Sequence, residues 1–165
     1  MIWRSATGRR PATPISDRAS LLFLVDTNVI SAAAPGRAAL TPELTAWLTA
    51  RSDELYLSAI TITEIVDGVA KRRREGATRR AAMLANWLDD LLHFYGGRIL
   101  AFDADVARQA GILTDLARGK GQQPGFADIA IAATASRHGL TLLTRNVRHF
   151  AFLDLAVIDP FVARP

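Results

Sequence analysis

Short apolar runs alternate along the chain with longer segments in which apolar residues recur at helical spacing. The apolar runs predict strands at 21–25, 54–58, 98–102, 140–143 and 156–158. The segments between them predict helices at 28–34, 42–50, 60–74, 78–94, 104–116 and 126–137. Unbroken apolar runs are typical of strands buried on both faces, and intervening helices connect parallel strands. The pattern therefore predicts an α/β fold with a mostly parallel central sheet of about five strands.

Local signals predict several helix boundaries. Thr41, which precedes a proline and an acid, is a typical N-cap, and Asp103 is expected to cap the helix that follows it. The basic run 71–74 complements the dipole at the end of its helix. Within 78–94, large apolar residues recur on one face, which predicts either core packing or a dimer contact.

Length and composition narrow the class of protein. At 165 residues, half of them hydrophobic, the chain is long enough to fold as one domain with a substantial core. The absence of cysteine excludes disulfides and thiolate metal sites and favours a cytoplasmic location. The net charge is +4 and arginine greatly outnumbers lysine, a composition that suits phosphate contacts without requiring them.

Neither a membrane segment nor a secretory signal is predicted. No uncharged apolar stretch approaches the roughly 20 residues that a membrane helix needs. Residues 1–20 contain several arginines but no hydrophobic segment of their own, unlike a signal peptide. We interpret 1–20 as a flexible basic extension, or as residues added by an upstream start codon, and 21–165 as the folded domain.

Four polar residues lie where ligands gather in parallel sheets. Asp26 directly follows the first strand, and Asn146 follows the strand at 140–143. Glu64 and Asp128 lie near the starts of helices, and Asp128 is the only charged residue between positions 125 and 137. The carboxyl ends of parallel strands and the helix N-termini that follow them share one edge of a sheet. These four side chains are therefore expected to converge there.

Each of the four also has a purely structural explanation. Asp26 and Asp128 could serve only their helix starts, as a cap and as an acid near the dipole. Glu64 could complete a capping box with Thr61, and Asn146 could be an ordinary turn residue. We favour one functional cluster because it accounts for all four placements at once.

A cluster of carboxylates predicts a hard divalent cation, Mg²⁺ or Mn²⁺, because such ions prefer oxygen ligands. A coordinated water with a lowered pKa would attack a phosphate, while the cation offsets the charge that develops there. Spacing alone leaves open whether one or two ions bind. The sequence lacks the motifs of serine hydrolases, zinc peptidases and P-loop proteins.

Five segments together resemble PIN-domain ribonucleases, specifically the VapC-type toxins of bacterial toxin–antitoxin pairs. They are 24–30 (LVDTNVI), 58–65 (SAITITEI), 99–103 (ILAFD), 127–135 (ADIAIAATA) and 139–148 (GLTLLTRNVR). Their order and approximate spacing follow the family through most of the chain. The first segment alone would be a weak signal, whereas five segments in register are specific.

The resemblance implies a three-layer α/β/α fold and an endoribonuclease toxin that depends on Mg²⁺ or Mn²⁺. By motif, Asp26, Glu64 and Asp128 are expected to hold the ion. Asn146 matches a fourth catalytic position at which relatives carry Asp or Asn. The resemblance also implies a homodimer and a VapB-type antitoxin that lays a C-terminal segment across the site. DNA would be contacted only indirectly, through the antitoxin.

Two features depart from the family pattern. His149 stands where relatives often carry Asp, and we expect it to weaken metal binding or to make activity more pH-dependent. The extension 1–20 precedes the point at which relatives usually begin, and it either contacts RNA or has no role. Candidate phosphate contacts are Arg145, Arg148 and the run 71–74, although a solvated face also explains that run.

Two other function classes stay open on the sequence. The fold could be a binding module for antitoxin, operator DNA or RNA with a disabled site, which His149 permits but the three intact acids oppose. A phosphoryl-transfer domain with Asp26 as nucleophile is less favoured, because Thr27 and Asn28 stand where a second Asp is expected.

Overall fold

A parallel β-sheet forms the centre of the protein. The computed structural model describes residues 21–37 and 40–163, and the predicted basic extension 1–20 lies outside them. The described strands are β1 Phe23–Val25, β2 Leu55–Ser58, β3 Ile99–Leu100, β4 Thr141–Leu143 and β5 Val157–Ile158. They lie in the order β3-β2-β1-β4-β5, and all four neighbouring pairs are parallel. The predicted α/β fold is confirmed.

Helices connect the strands. The described residues form α1 Thr27–Ile30, α2 Pro42–Ala50, α3 Ala59–Arg74, α4 Thr78–Tyr95, α5 Ala104–Gly119 and α6 Phe126–His138. Within the described part of the chain, none of these helices is both long and apolar enough to cross a membrane. The cytoplasmic location expected from the absence of cysteine stays a prediction.

Two hydrophobic cores cover the two faces of the sheet. Phe23 and Val25 of β1 pack in one core, to which α1, α2 and α4 contribute. Leu24, between them, points to the other face and packs with α5 and α6. Because successive side chains of a strand alternate in direction, a strand apolar at every position needs helices on both faces. The predicted three-layer arrangement follows from this alternation.

The apolar face of α4 packs in the first of these cores. Trp87, Leu88 and Leu91 are buried there, which confirms core packing for this part of the face. Met83, one turn earlier, is 45% exposed. The homodimer implied by the resemblance to the family stays a prediction.

Some element ends differ from those predicted. The predicted helix at 28–34 divides into α1 and a 3₁₀ turn, Ser31–Ala33. The predicted strand at 98–102 is paired only over β3, because Arg98 belongs to a 3₁₀ turn and its guanidinium binds the Phe94 carbonyl (3.0 Å). Helix α5 continues past the predicted end at 116, and its additional turn buries Ala117 completely.

The helix N-caps decide whether Glu64 has a capping role, which was the structural alternative for this residue. Thr41 and Asp103 cap α2 and α5 as predicted, each accepting a hydrogen bond from a backbone N–H three residues later. The capping box proposed for Thr61 is wrong, because Ser58 caps α3 by accepting from the N–H of Ile60 (3.2 Å). Glu64 therefore lies in the second turn of α3, where it has no capping role.

We predict that Gly111→Ala stabilises the protein. Gly111 lies inside α5, and a Cβ added there meets no atom within 4 Å. Alanine is the better helix former, so the free energy of unfolding in a denaturant titration should rise by roughly 0.5–1 kcal/mol. The matched change Gly139→Ala should lower it, because Gly139 ends α6 with a φ of +64°. Similar effects at the two positions would contradict these helix boundaries.

Candidate active site

Asp26 is the central acid of the candidate site. It directly follows β1, caps the N-terminus of α1 and is only 6% exposed. Its Oδ1 accepts a hydrogen bond from the backbone N–H of Thr27 (2.6 Å). Its Oδ2 accepts hydrogen bonds from the Thr144 hydroxyl (2.6 Å) and the Asn28 amide (2.7 Å). Both carboxylate oxygens are thus held in fixed directions on a buried side chain.

Thr144 joins the ends of the two central strands. It follows β4 and is completely buried. While its hydroxyl donates to Asp26, it accepts hydrogen bonds from the Asn28 amide and the Asn146 backbone N–H, both at 3.0 Å. The Asn28 carbonyl oxygen in turn accepts from the backbone N–H of Arg145 (3.0 Å). The segment after β4 is therefore fixed to the segment after β1 by side chains as well as by the sheet.

Glu64 reaches the same edge of the sheet from α3. The Ser58 cap starts this helix directly after β2, so its first turns lie at the carboxyl end of that strand. The Thr27 hydroxyl donates a hydrogen bond to Oε2 of Glu64, which is half-buried. Thr27 thereby connects Glu64 to Asp26, because the Thr27 backbone N–H binds Asp26.

Asp128 lies in the first turn of α6, close to His149. Its side chain is 32% exposed, and its Oδ2 is 3.3 Å from Nδ1 of His149, whose side chain is 39% exposed. The residue that departs from the family pattern therefore contacts one of the predicted metal ligands directly. Such a contact is charge-assisted only when the imidazole is protonated.

The three carboxylates repel one another. Burial raises the pKa of Asp26 above its ordinary value, and the nearby charges of Glu64 and Asp128 raise it further. The hydrogen bonds from Thr144 and Thr27 oppose this rise. Throughout the described residues, no lysine or arginine forms an ion pair with any of the three acids. Among the described residues, no lysine or arginine therefore meets the negative charge at this edge, and only His149 lies beside one of the acids, Asp128.

The predicted site residues differ in how the structure places them. Glu64 and Asp128 lie close enough to Asp26 to act on its pKa, so the three acids come together. Asn146 gives its backbone N–H to Thr144, but within the described chain its exposed side chain makes no hydrogen bond. The described residues also contain no group of three His, Asp or Glu side chains spaced to ligate one ion. Metal ligation by these residues stays a prediction.

The donor chemistry of the three acids nevertheless fits a hard divalent cation. Asp26, Glu64 and Asp128 offer only carboxylate oxygens as metal ligands, and Mg²⁺ and Mn²⁺ prefer such ligands. Asp26 is buried beside two like charges, an arrangement that is costly to ionise without a cation. A divalent ion would remove that cost and favour the ionised form of all three.

Three residues of the network were not predicted from the sequence. Thr27, Asn28 and Thr144 position the acids, whereas the sequence analysis assigned none of the three a role in the site. A signal was available in the ends of the strands. Val25 pairs with Leu143 across the sheet, so the residues that follow them, Asp26 and Thr144, are adjacent.

Several known proteins are similar to this chain in sequence. The PIN domain family model matches residues 23–155. The VapC ribonuclease Y4jK of Sinorhizobium fredii is 39% identical over 145 residues, which cover 85% of this chain and 98% of that protein. Toxin FitB of Neisseria gonorrhoeae is 36% identical over 141 residues, which cover 85% of this chain and 99% of FitB.

Solved structures also resemble this chain in sequence and fold. The structure of FitAcB from Neisseria gonorrhoeae has a TM-score of 0.74 and 36% sequence identity, covering 86% of this chain and 100% of its own. The structure of FitAB bound to an IR36 DNA fragment has a TM-score of 0.72 and 33% identity, covering 87% and 99%. The chain therefore belongs to the PIN-domain family. Within that family it groups with the VapC-type toxins of VapBC and FitAB toxin–antitoxin systems.

We predict that Thr144→Val destabilises the protein by about 1–3 kcal/mol. The substitution keeps the shape of the side chain but removes the hydroxyl that donates to Asp26 and accepts from Asn28, leaving buried polar groups unsatisfied. The free energy of unfolding, measured by denaturant titration at pH 7, checks this. Thr141→Val is the matched control, because Thr141 is also buried but its side chain makes no hydrogen bond within the described residues. An equal loss at both positions would argue against the network.

We predict that Glu64→Gln stabilises the metal-free protein at neutral pH. The folded-state pKa of Asp26 lies above its ordinary value of 3.8, so its contribution to stability is complete below that pH. This contribution is lost as the pH rises through the raised pKa. Removing the charge of Glu64 lowers that pKa, while the amide oxygen can still accept from Thr27.

The gain should be below about 1 kcal/mol, as is usual for a partly exposed charge pair. Thermal unfolding in EDTA at pH 7 and pH 4 checks the sign: the gain should be present at pH 7 and smaller at pH 4. The control is Asp115→Asn, which removes one charge from an exposed position on α5. Destabilisation by Glu64→Gln at pH 7 would count against repulsion among the acids.

Proposed function

We propose that the protein is a metal-dependent endoribonuclease toxin that hydrolyses RNA phosphodiester bonds. The observation that carries the proposal is the group of three carboxylates, buried Asp26 with Glu64 and Asp128, which have no lysine or arginine partner among the described residues and lie at the carboxyl edge of a parallel sheet. Ligands of open α/β folds bind at this edge. A relative named as a VapC ribonuclease supports RNA as the substrate class, and a relative named as a toxin supports the biological role.

In this proposal Asp26, Glu64 and Asp128 hold Mg²⁺ or Mn²⁺, and Asn146 contributes directly or through a water. When bound, the ion supplies a nucleophilic water at neutral pH and offsets the charge that develops on the phosphate. Thr144 and Asn28 orient the Asp26 carboxylate through hydrogen bonds.

Two arginines after β4 are candidates to orient the RNA. Arg145 and Arg148 are exposed on the segment that carries Asn146. The guanidinium of Arg145 lies 4.7 Å from the centre of the Phe161 ring, a cation–π contact that restricts its position. A guanidinium held in this way can donate two hydrogen bonds to one phosphate.

The contact between His149 and Asp128 favours one alternative, a binding module with a disabled site. A protonated imidazole 3.3 Å from Asp128 would compete with a cation for the same carboxylate. The module would bind antitoxin, operator DNA or RNA without cutting it. Phosphoryl transfer through Asp26 is less favoured, because its Oδ2 already accepts two hydrogen bonds and is poorly placed for nucleophilic attack.

The proposal also includes the oligomeric state of the protein and its macromolecular partners. Solved structures that resemble the chain include complexes of toxin with antitoxin, and some of them contain DNA. We infer a homodimeric toxin that pairs with a VapB-type antitoxin covering the acidic edge. Contact with DNA would then be made through the antitoxin.

We predict that the purified chain, free of antitoxin, cuts RNA in Mn²⁺ or Mg²⁺ and not in EDTA. Asp26→Asn should reduce the rate by more than about 100-fold, since even the outer partners of metal ligands are worth about 10- to 100-fold. Cleavage of total RNA, followed on gels over time, is the measurement. Asp115→Asn is the matched control and should keep the rate of the unsubstituted chain.

Mn²⁺ binding, followed by electron paramagnetic resonance, distinguishes the metal-dependent ribonuclease from the disabled binding module without the use of RNA. Binding that is lost in Asp26→Asn and retained in Asp115→Asn supports the metal site. A folded chain that neither binds Mn²⁺ nor cuts RNA would make the disabled module the better account. Cutting that persists in EDTA or in Asp26→Asn would reject the assigned site.

A further inference from the structure

The end of α3 and the start of α4, which a short loop joins, together carry the densest positive charge in the described chain. We call residues 71–80 the hairpin tip. It contains six basic residues and one acid: Lys71, Arg72, Arg73, Arg74, Arg79, Arg80 and Glu75. The local excess of positive charge is larger than the net charge of +4 of the whole protein.

Most of this charge is not neutralised within the described residues. Glu75 pairs with Arg72 (2.9 Å) and lies 4.0 Å from the Lys71 ammonium. The other four basic side chains are exposed and form no ion pair with a described residue: Arg73, Arg74, Arg79 and Arg80. Four arginines are thus available to an external anion.

The fold gives no local reason for the two arginines in the first turn of α4. This helix begins without a side-chain cap and without an acid in its first turn, yet Arg79 and Arg80 lie there. Cations are disfavoured at a helix N-terminus, where the backbone N–H groups already carry partial positive charge. The C-terminal run of α3, in contrast, suits its own helix dipole. Charge concentrated against local preference indicates a function in binding.

A cavity of about 390 Å³ lies beside these arginines. It is formed between the hairpin tip and the turn after α1, and its lining is Pro35, Gly36, Gly76, Ala77, Thr78, Arg79, Arg80 and Met83. Gly36 has a φ of +75°, and Arg80 Nη1 is 3.4 Å from the position a Cβ would take on it. The glycine permits the turn, and the Arg80 guanidinium lies against this wall of the cavity.

We propose that the hairpin tip binds the phosphodiester backbone of the RNA substrate, away from the acids of the candidate active site, where the RNA would be cut. This inference rests on the proposed ribonuclease function. Five of the six basic residues are arginines, whose planar fork matches phosphate oxygens better than an ammonium group does. Phosphate contacts fix position without reading sequence, so the tip would set affinity and register for RNA of any sequence.

Helix α3 runs from the candidate active site to the hairpin tip. Glu64 lies in its second turn, and Lys71 lies seven residues later on nearly the same face. The rise of an α-helix places Lys71 about 10 Å and Arg74 about 15 Å beyond Glu64 along the helix axis. A strand with one phosphate at the carboxylates can therefore reach the hairpin tip within a few nucleotides.

The test compares RNA binding by two pairs of arginine substitutions in the Asp26→Asn background, which prevents cutting. The tip variant carries Arg79→Gln and Arg80→Gln. The control carries Arg108→Gln and Arg118→Gln, which remove the same charge from exposed positions on α5. The probe is a fluorescein-labelled single-stranded RNA of 20 nucleotides, and anisotropy gives the Kd at several salt concentrations.

We expect the tip variant to bind about 25-fold more weakly at 0.1 M salt. Counterion release contributes a factor of about five per phosphate contact at this concentration, and two contacts are lost. The slope of log K against log salt should become shallower by about 1.4, again from two contacts. The α5 control should change neither quantity. Thermal unfolding of each variant shows that it is folded, and Arg73→Gln with Arg74→Gln provides a second tip variant.

Each of four results would overturn the proposal. An unchanged Kd in both tip variants, with RNA still bound and cut by the unsubstituted chain, would reject the hairpin tip alone. Equal losses in the tip and α5 variants would show a general charge effect. Unchanged RNA binding together with lost binding of poly-glutamate would assign the tip to an acidic protein segment. If the unsubstituted chain neither binds nor cuts RNA, the proposed function fails as well.

Discussion

The candidate site depends on keeping one carboxylate buried at the junction of two strands. Asp26 is removed from water beside two other acids, and the protein supplies hydrogen bonds instead of a cation. Thr144 and Asn28 provide those bonds, and both also fix the segment that follows β4. If these partners were absent, the carboxylate would protonate or turn towards solvent. The arrangement accepts a local cost in stability to keep charge where a cation could bind.

The parallel sheet makes this arrangement possible. Its central strand has helices on both faces, so a polar side chain that follows β1 is placed past the end of the strand, clear of both cores. The segments after β1, β2 and β4 all leave the sheet at that edge. Asp26 and Glu64, far apart in sequence, are consequently linked through Thr27. The order and direction of the strands, more than the conformation of any loop, bring the acids to one edge of the sheet.

Much of the fold follows from periodicity, whereas the finer parts of the site depend on pairing that periodicity does not show. The apolar run before Asp26 indicated a strand buried on both faces, and Asp103 indicated its helix start. The sequence fitted a capping box at Thr61, and only the end of β2 at Ser58 shows that the helix is capped three residues earlier. Thr144 resembles an ordinary strand residue until the register of β1 and β4 is known. For Asn146 the motif matches a catalytic position of the family, its side chain is exposed, and its role stays a prediction.

The hydrogen bonds around Asp26 also bear on how the protein is made. Asp26 and Thr144 are separated by 118 positions, and Asn28 and Thr144 by 116. Contacts of such long range form late, because both segments must exist and the intervening chain must close. During synthesis, therefore, the site is incomplete until the chain has left the ribosome at least as far as Thr144. A prematurely terminated product lacking β4 and the residues after it would carry Asp26, Glu64 and Asp128 but not Thr144, one of the three residues that hold Asp26 in place.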